Sequence, residues 1–451
     1  MTTYYEQHQS EFLEGLKAFL RIPSISTLSE HKSDIRRAAE FARQDLQNAG
    51  LEAELIEGTG NPLVYAEWLG APGKPTILFY GHYDVQPPDP LNEWKSDPFE
   101  PEVRGQDIFA RGSADDKGQV YIQIKAVEGY LKTTGKLPVN VKFLLEGEEE
   151  TGGEHIEEYV KTRPPRLKAD AAVVCDTEMF APELPTICVG LRGMVYGELF
   201  VEGASHDLHS GMYGGAAPNP IQAIAEILCA LKDRDGRIRI PGFYDRVVPP
   251  SPKERAAWER LPFDEREYLE KEMGARELVG EPGVPLFERL WARPTLEVHG
   301  IRGGFTGEGA KTVIPARAVA KISARLVADQ TPEEASRQIE AAIRGATPRG
   351  VKVEWKVLHT GKPSLTNPDN PFIRAGAEAL KQVFGKETVY IRSGGSIPIV
   401  GVFDEYLGVP SVMMGFGLPD DNLHAPNEKF HLPNFYRGIE AVARYLEILA
   451  S

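Results

Sequence analysis

The chain has 451 residues, of which 41% are hydrophobic and 26% charged, and its formal net charge is −15. A chain of this length exceeds what one hydrophobic core usually organises, so at least two domains are expected. The acidic balance argues against nucleic acid and anionic membrane as partners, because both attract a clustered basic surface.

The N-terminal segment predicts an amphipathic helix packed on a core. Its apolar residues recur at helical spacing, at Phe12, Leu13, Leu16, Phe19 and Leu20. A signal peptide would instead begin with basic residues followed by an apolar run. The cysteines are too few and too scattered for a disulfide framework: Cys175, Cys188 and Cys229. We therefore expect a cytoplasmic protein.

From residue 51 to about residue 176, short apolar runs alternate with amphipathic helical stretches, which is typical of an α/β sheet. Three of the runs are TILFY (76–80), VKFLL (141–145) and AAVVC (171–175), and a fourth is VMM (412–414). The polar segments that follow them are GHYD, EGEEE, DTE and, after a loop, PDDNLHAPNE. Ligands bind beyond the carboxyl ends of strands in open α/β sheets, so these segments are expected to assemble one site.

Between about residues 191 and 360 the order of the predicted elements changes. The patterns predict a strand (GELFVEG), a helix (PIQAIAEILCALKD), two strands (TLEVHGI and ARAVAKISARLV), a helix (PEEASRQIEAAIRG) and a strand (VKVEWKVLH). This βαββαβ order indicates a separate α+β domain of ferredoxin-like type. The charged, proline-bearing stretch 241–285 is expected to be an irregular or helical excursion of that domain.

Polar residues around the four apolar runs form a candidate metal site. They are His82, Asp84, Asp115, Asp116, Glu149, Glu150, Asp176 and His424. Imidazole and carboxylate ligands without cysteine suit zinc or manganese. One ion would be oversupplied with ligands, whereas two ions that lie about 3.5–4 Å apart and share a carboxylate fit the number of groups.

Six segments resemble the motifs of one metallopeptidase family, in the same order and over nearly the whole chain. They are GHYDVQP (81–87), ARGSADDKG (110–118), EGEEETGG (146–153), CDTE (175–178), DLHSGMYGG (207–215) and NLHAPNEK (422–429). The family includes carnosine and other cytosolic dipeptidases, acetylornithine deacetylase, succinyl-diaminopimelate desuccinylase and carboxypeptidase G. The segments LRG (191–193), GAKTVIP (309–315) and GGSIP (394–398) look most like its dipeptidase branch.

The resemblance implies a two-metal, aminopeptidase-like α/β catalytic domain, in which helices flank a mixed sheet. An α+β ferredoxin-like lid and dimerisation domain would be inserted into it. The catalytic domain would comprise residues 1–190 and 361–451, and the lid domain residues 191–360. The expected function is hydrolysis of small peptides, namely dipeptides, by a homodimer.

The resemblance also implies a role for each residue of the metal site. The ligands would be His82 and Asp176 for one ion, Glu150 and His424 for the other, and Asp115 as the bridge between them. Asp84 would hold the ring of His82, and Glu149 would be the general base for a water activated by the ions. Zinc is the favoured metal, and manganese and cobalt also suit these ligands.

Substrate-binding roles follow from the same resemblance. His209 in the DLHSG segment would come from the neighbouring subunit and donate a hydrogen bond to the developing oxyanion. Arg325 would bind the free carboxylate of a dipeptide, because a guanidinium binds carboxylates bidentately. It would be aided by Thr312, Gly395 and Ser396. At Ser393 the dipeptidase branch is expected to have an acidic residue, so selectivity for a free amine stays open.

Two other functions are compatible with the sequence. A deacylase or desuccinylase of N-acyl amino acids would use the same metal site and the same base. An inactive relative that serves as a binding or structural subunit would lack a ligand or the base. Every ligand position and Glu149 are occupied by suitable residues in this chain, which argues against an inactive relative.

Overall fold

The computed structural model describes residues 2–451, and the chain divides into two compact units. The first unit contains the chain up to Val189 together with Thr366–Ile391 and Pro398–Ser451. The second contains Gly190–Leu365 and Arg392–Ile397. Among residues 2–451, no helix has the length and apolar character needed to cross a membrane.

Groups of consecutive strands and groups of consecutive helices follow one another along the chain. The strands are β1 Glu52–Ile56, β2 Leu63–Trp68, β3 Thr76–His82, β4 Glu102–Arg104, β5 Asp107–Phe109, β6 Asn140–Glu146, β7 Ala171–Val174, β8 Thr186–Leu191, β9 Gly193–Glu202, β10 Leu208–His209, β11 Thr295–Gly303, β12 Val313–Ile314, β13 Arg317–Leu326, β14 Lys352–Gly361, β15 Ser364–Leu365, β16 Val389–Ser393, β17 Ser411–Met413 and β18 Lys429–His431. The helices are α1 Thr2–Gln7, α2 Gln9–Leu20, α3 Lys32–Ala49, α4 Lys117–Thr134, α5 Glu154–Thr162, α6 Pro164–Leu167, α7 Ser210–Tyr213, α8 Pro220–Leu231, α9 Pro252–Trp258, α10 Glu265–Glu267, α11 Leu286–Trp291, α12 Pro332–Ala346, α13 Pro371–Phe384, α14 Pro398–Val402 and α15 Leu432–Ala450.

A mixed sheet forms the centre of the first unit. Its strands lie in the order β1-β2-β6-β3-β7-β17-β8. The inner strands β6, β3, β7 and β17 are parallel, whereas the outer pairs are antiparallel. The apolar runs TILFY, VKFLL, AAVVC and VMM form these four parallel strands, and every residue of β6 is buried. Strands that are covered on both faces have continuous apolar sequences, and the predicted α/β class is confirmed.

Helices α3, α4, α13 and α15 pack on this sheet or on one another. In the core that they cover, the rings of Phe79 and Phe143 stack with their centroids 4.9 Å apart. Helix α4 is buried over most of its length and ends at Gly135, which has a left-handed φ of 73°. Just before α4, Asp116 Oδ2 accepts a hydrogen bond from the His82 amide at 3.1 Å. The segment that contains Asp115 is thereby fixed beside the end of β3.

The second unit has the predicted βαββαβ order, formed by β9, α8, β11, β13, α12 and β14. Its strands form an antiparallel sheet in the order β11-β13-β9-β14. Helices α8 and α12 pack on the sheet, and residues of β9 alternate between buried and partly exposed. This alternation is expected when one face of an antiparallel sheet is covered. The ferredoxin-like order is therefore confirmed, and the excursion that follows α8 contains the short helices α9 and α10.

Candidate functional site

Five residues of the first unit form what we call the metal centre: His82, Asp115, Glu150, Asp176 and His424. His82 is the last residue of β3, and Asp176 follows β7. Glu150 lies in a 3₁₀ turn after β6, and His424 lies in the loop after β17. Because β3, β6, β7 and β17 are parallel neighbours, their carboxyl ends meet at one edge of the sheet. The topology thus brings together residues that are far apart in sequence.

The Asp115 carboxylate lies between the two histidines. Its Oδ1 is 3.0 Å from His82 Nε2, and its Oδ2 is 2.9 Å from His424 Nε2. Two groups of donor atoms share this residue, and the atoms of each group lie within 4.8 Å of one another. The groups are His82, Asp115 and Asp176, and Asp115, Glu150 and His424.

Buried carboxylates give the metal centre a strong attraction for positive charge. Burial acts to raise the pKa of Asp115, but hydrogen bonds with His424 and His82 outweigh it and lower that pKa. Burial, together with the nearby Asp115 carboxylate, raises the pKa of Asp176 to about 7. Hydrogen bonds with Asp115 and Glu150 raise the pKa of His424 to about 10. The opposite shifts of the Asp115 and His424 pKa values share one cause, the attraction between the carboxylate and the imidazole ring.

The donor set of the metal centre fits two divalent cations. Each group offers one imidazole nitrogen and carboxylate oxygens, which are common ligands of zinc and manganese. Asp115 presents one oxygen to each group, as the shared carboxylate of a two-metal site does. No cysteine takes part in either group of the described chain.

Asp84 contacts both halves of the metal centre. The His82 ring nitrogen Nδ1 lies 3.1 Å from the backbone oxygen of Asp84 and 3.4 Å from its Oδ1. Asp84 Oδ2 accepts a hydrogen bond from the Glu150 amide at 3.2 Å. The shorter contact with the ring is therefore made by the backbone of Asp84 and not by its side chain. A proton held on Nδ1 leaves the lone pair of Nε2 free to bind a cation.

The three consecutive glutamates after β6 differ in their partners. Glu148 Oε1 accepts a hydrogen bond from the Asn61 amide at 2.7 Å. Glu150 Oε2 accepts one from Gln86 Nε2, also at 2.7 Å. Within residues 2–451, the Glu149 carboxylate has no hydrogen-bond partner, and burial raises its pKa well above the usual value. Glu149 thus differs from Glu148 and Glu150 in having no hydrogen-bond partner for its carboxylate within residues 2–451.

Gln86 was not among the residues predicted for the site. It lies in the GHYDVQP segment, and its amide orients one of the proposed ligands, Glu150. Its position in the motif was visible in the sequence, but its partner was not. Only the pairing of β3 with β6 brings the segment after His82 next to the glutamate run.

His209 and Thr312 are neighbours in the second unit. Strands β10 and β12 pair with His209 opposite Val313, and the Ser210 amide donates a hydrogen bond to the Thr312 oxygen at 3.1 Å. His209 is exposed, and its Nδ1 accepts a hydrogen bond from the Gly211 amide at 3.0 Å. When Nδ1 is the acceptor, a neutral ring carries its proton on Nε2. That N–H group is then available to donate a hydrogen bond.

Arg325 contacts the segment that contains Gly395 and Ser396, also in the second unit. Its Nη1 donates a hydrogen bond to Ser396 Oγ at 3.0 Å. No acidic side chain of the described residues pairs with Arg325, and burial lowers the pKa of its guanidinium. An unneutralised, partly buried guanidinium is suited to bind an anion such as a carboxylate.

Arg192 holds the same segment and was not predicted as a site residue. Its Nε donates a hydrogen bond to the Gly394 oxygen at 3.0 Å, and its amide donates one to the Gly395 oxygen at 3.1 Å. The Gly395 amide in turn donates to Ser393 Oγ at 3.0 Å. Arg192 lies in the LRG segment (191–193), which resembles the dipeptidase branch, but the resemblance implied no role for this arginine. These contacts fix the backbone beside Arg325.

Comparisons with known proteins agree with this architecture. A model of the peptidase family M20/M25/M40 matches residues 78–448. The chain is 31% identical over 462 residues to the Cys-Gly metallodipeptidase dug1 of Schizosaccharomyces pombe, and the aligned region covers 99% of this chain and 97% of the relative. It is 32% identical over 464 residues to the Beta-Ala-His dipeptidase of Homo sapiens, and the aligned region covers 98% of this chain and 90% of the relative.

A solved structure is similar over the whole fold. The M20 family metallo-carboxypeptidase Sso-CP2 of Sulfolobus solfataricus has a TM-score of 0.88 and 34% sequence identity to this chain. The similarity covers 98% of this chain and 99% of that protein. The two donor groups that share Asp115 agree with the family match and with the relatives. The chain therefore belongs to the peptidase family M20/M25/M40.

Proposed function

We propose that this protein is a metal-dependent dipeptidase that hydrolyses the peptide bond of dipeptides. The observation that carries the proposal is the pair of donor groups that share Asp115. The names of the relatives, a Cys-Gly metallodipeptidase and a Beta-Ala-His dipeptidase, support a dipeptide as the substrate.

Two divalent cations are the proposed cofactors, with zinc favoured over manganese and cobalt. One would be held by His82, Asp115 and Asp176, and the other by Asp115, Glu150 and His424. When bound, such ions act as Lewis acids toward a carbonyl and bring the pKa of water down to about 7. Asp84 would support the first set by keeping the lone pair of His82 Nε2 directed at the ion.

Glu149 is the proposed general base. Its carboxylate accepts the proton of the attacking water and then donates it to the nitrogen of the leaving amine. The support for this role is local: Glu148 and Glu150 are held by Asn61 and Gln86, whereas the Glu149 carboxylate has no such partner within residues 2–451.

The second unit supplies the proposed substrate-binding residues. Arg325 binds the α-carboxylate of the dipeptide, because a guanidinium offers two parallel N–H groups to a carboxylate. Thr312, Gly395 and Ser396 are the proposed additional contacts. His209 Nε2–H stabilises the oxyanion, and we propose that it does so in the active site of the other subunit of a homodimer.

The remaining features of the proposal concern organisation and location. Residues 1–190 and 361–451 are the proposed catalytic domain, and residues 191–360 the proposed lid and dimerisation domain; within the proposed catalytic range, Arg392–Ile397 group with the second compact unit. The net charge of −15 argues against a nucleic acid or anionic membrane partner. A cytoplasmic location is proposed because Cys175, Cys188 and Cys229 are thiols that form no disulfide within residues 2–451, as is usual in a reducing compartment.

A second candidate function is removal of the C-terminal residue from longer peptides. It is favoured by the structural similarity to a metallo-carboxypeptidase. Arg325 would bind the C-terminal carboxylate in either reaction, so this contact does not distinguish the two. The third alternative, hydrolysis of N-acyl amino acids, is kept open by Ser393, which provides no negative charge for a free amine.

The test is a substrate panel of free dipeptides, N-acetylated dipeptides and tripeptides. The enzyme is stripped with a chelator and reloaded with zinc or manganese in separate samples. We expect hydrolysis of free dipeptides only after metal is restored, with much lower rates on the other substrates. Release of the C-terminal residue from tripeptides or acetylated dipeptides, in preference to cleavage of free dipeptides, would identify a carboxypeptidase, and release of acetate would identify a deacylase. Absence of metal-dependent hydrolysis on every substrate would contradict the proposed function.

A further inference from the structure

Arg111 and Glu428 form a buried ion pair beside the metal centre. Their side chains are 1% and 0% exposed, and Arg111 Nη1 donates a hydrogen bond to Glu428 Oε2 at 2.7 Å. Removing two charges from water is costly, and a buried pair is retained only where good geometry and further hydrogen bonds compensate for that cost. The partners of the two side chains therefore indicate what the pair does.

Glu428 accepts hydrogen bonds from the backbone of the turn that contains Asp115. Its Oε2 accepts from the Gly112 amide at 2.9 Å. Its Oε1 accepts from the amides of Ala114 and Asp115 at 3.0 and 3.1 Å. One carboxylate thus fixes three amides of this turn, including the amide of the residue shared by the two donor groups.

Arg111 contacts two other segments that carry metal-centre residues. Its Nη2 lies 3.3 Å from the backbone oxygen of Pro87 and 3.3 Å from that of Ala425. Pro87 lies in the GHYDVQP segment with His82, and Ala425 directly follows His424. The pair consequently joins the segments of His82, Asp115 and His424 through hydrogen bonds.

The loop around His424 has a backbone conformation that needs such support. His424 has a φ of 57°, and Asn422 and Asn427 have φ values of 55° and 63°. Residues other than glycine rarely adopt this left-handed region. Asn427 is fixed by hydrogen bonds with Lys95 and Glu93, both at 2.9 Å, and Arg111 holds the carbonyl that follows His424.

We propose that Arg111 and Glu428 are positioning residues that set the metal affinity of the centre. They hold Asp115 and His424 in the relative positions in which Asp115 belongs to both donor groups. This inference rests on the metal centre of the proposed function and is independent of the substrate. Because Asp115 belongs to both groups, loss of the pair should weaken the binding of both ions.

The first test variant is Glu428→Gln. A glutamine in this position has only one acceptor oxygen. Its NH₂ group would face either the Arg111 guanidinium or backbone N–H groups, which donate hydrogen bonds to the carboxylate in the wild type. The matched control is Glu128→Gln, the same substitution in another buried ion pair of the first unit. Glu128 lies 2.7 Å from Lys125 on the same helix, α4, and neither residue contacts a metal-centre segment.

The measurements are the dissociation constants of both ions by competition with a chelator and the visible spectrum of the cobalt-loaded protein. The unfolding midpoints of the metal-free and metal-loaded forms are measured in parallel. We expect Glu428→Gln to weaken metal binding by about 10- to 100-fold and to change the cobalt spectrum. It should also lose part of the rise in midpoint that metal binding produces. Glu128→Gln should lower both midpoints equally and leave metal affinity unchanged.

Arg111→Lys is the second variant and serves if Glu428→Gln does not fold. A lysine keeps the charge and a contact with Glu428, but it lacks the planar fork that reaches Pro87 and Ala425. It should weaken metal binding in the same direction. The proposal is overturned if the folded variants bind both ions as tightly as the wild type, or if neither variant folds. Metal titration needs no peptide, so a wild type without dipeptidase activity would count against the proposed function alone.

Discussion

His424 Nε2 lies 2.9 Å from Asp115 Oδ2, although 309 positions separate the two residues in the sequence. The other oxygen of Asp115 faces His82. Asp115 is therefore a member of both donor groups, whereas His82 and His424 each belong to one. This asymmetry predicts which substitutions remove one ion and which remove both.

Asp115→Ala should abolish tight binding of both ions, because each donor group loses a carboxylate oxygen. His82→Ala should leave the group of Asp115, Glu150 and His424 intact and retain one ion. The measurement is metal content after gel filtration, together with a calorimetric titration of the chelated protein. Equal metal loss in the two variants would contradict a shared carboxylate.

Glu149→Gln should lower the rate of turnover by about 10²- to 10⁴-fold and leave both ions bound, because Glu149 belongs to neither donor group. Glu148→Gln is the control. The Glu148 carboxylate accepts hydrogen bonds from the amides of Asn61 and His155 at 2.7 and 3.4 Å. That variant should lose stability and keep near-normal turnover. If it loses turnover as severely as Glu149→Gln does, the assignment of the base within the glutamate run is wrong.

The fold could be predicted largely from the sequence because its inner strands are buried on both faces. The run VKFLL contains one polar residue, Lys142, and its Nζ donates hydrogen bonds to the Arg166 and Lys168 carbonyls. The βαββαβ order was visible for a related reason: β9 and β13 alternate between covered and open faces, and α12 has a regular apolar stripe. These are local patterns that one window of sequence contains.

The supporting residues of the site could not be predicted in this way. Glu428 follows a proline–asparagine turn and resembles an exposed charge, yet it is completely buried, and its partners lie more than 300 positions away. Gln86 and Arg192 were contained in motifs, but their hydrogen bonds depend on strand pairing. Selection of Glu149 among three glutamates likewise required the family resemblance, because consecutive acidic residues have no periodicity that separates them.

Arg325→Ala should lower kcat/KM for a free dipeptide by about 10- to 100-fold, as expected for loss of about 1.5–3 kcal/mol of charged hydrogen bonding. The effect should be much smaller on the corresponding dipeptide amide, which has no carboxylate. Arg317→Ala is the control on the same strand, since Arg317 is exposed and pairs with Glu202 at 3.0 Å. Equal losses on the acid and the amide would show that Arg325 does not bind the carboxylate.

His209→Ala should lower turnover without changing metal content, because the residue lies outside both donor groups. His206→Ala is the control, since His206 is an exposed neighbour whose Nδ1 lies 3.0 Å from Ser205 Oγ. It should keep near-normal activity. A joint loss of metal and turnover in His209→Ala would instead indicate a structural role.

Mixing His209→Ala with Glu149→Gln tests whether His209 acts across a dimer interface. In a mixed dimer, the subunit with His209→Ala supplies Glu149, and the subunit with Glu149→Gln supplies His209. One of the two sites would therefore contain both Glu149 and His209, and the other site would lack both. Random reassociation should therefore restore about one quarter of the wild-type activity from two nearly inactive proteins. Activity is measured after the subunits are exchanged, and unmixed samples of each variant treated identically serve as the reference. No gain on mixing, with subunit exchange verified by differently tagged chains, would mean that His209 does not act in the site of its partner.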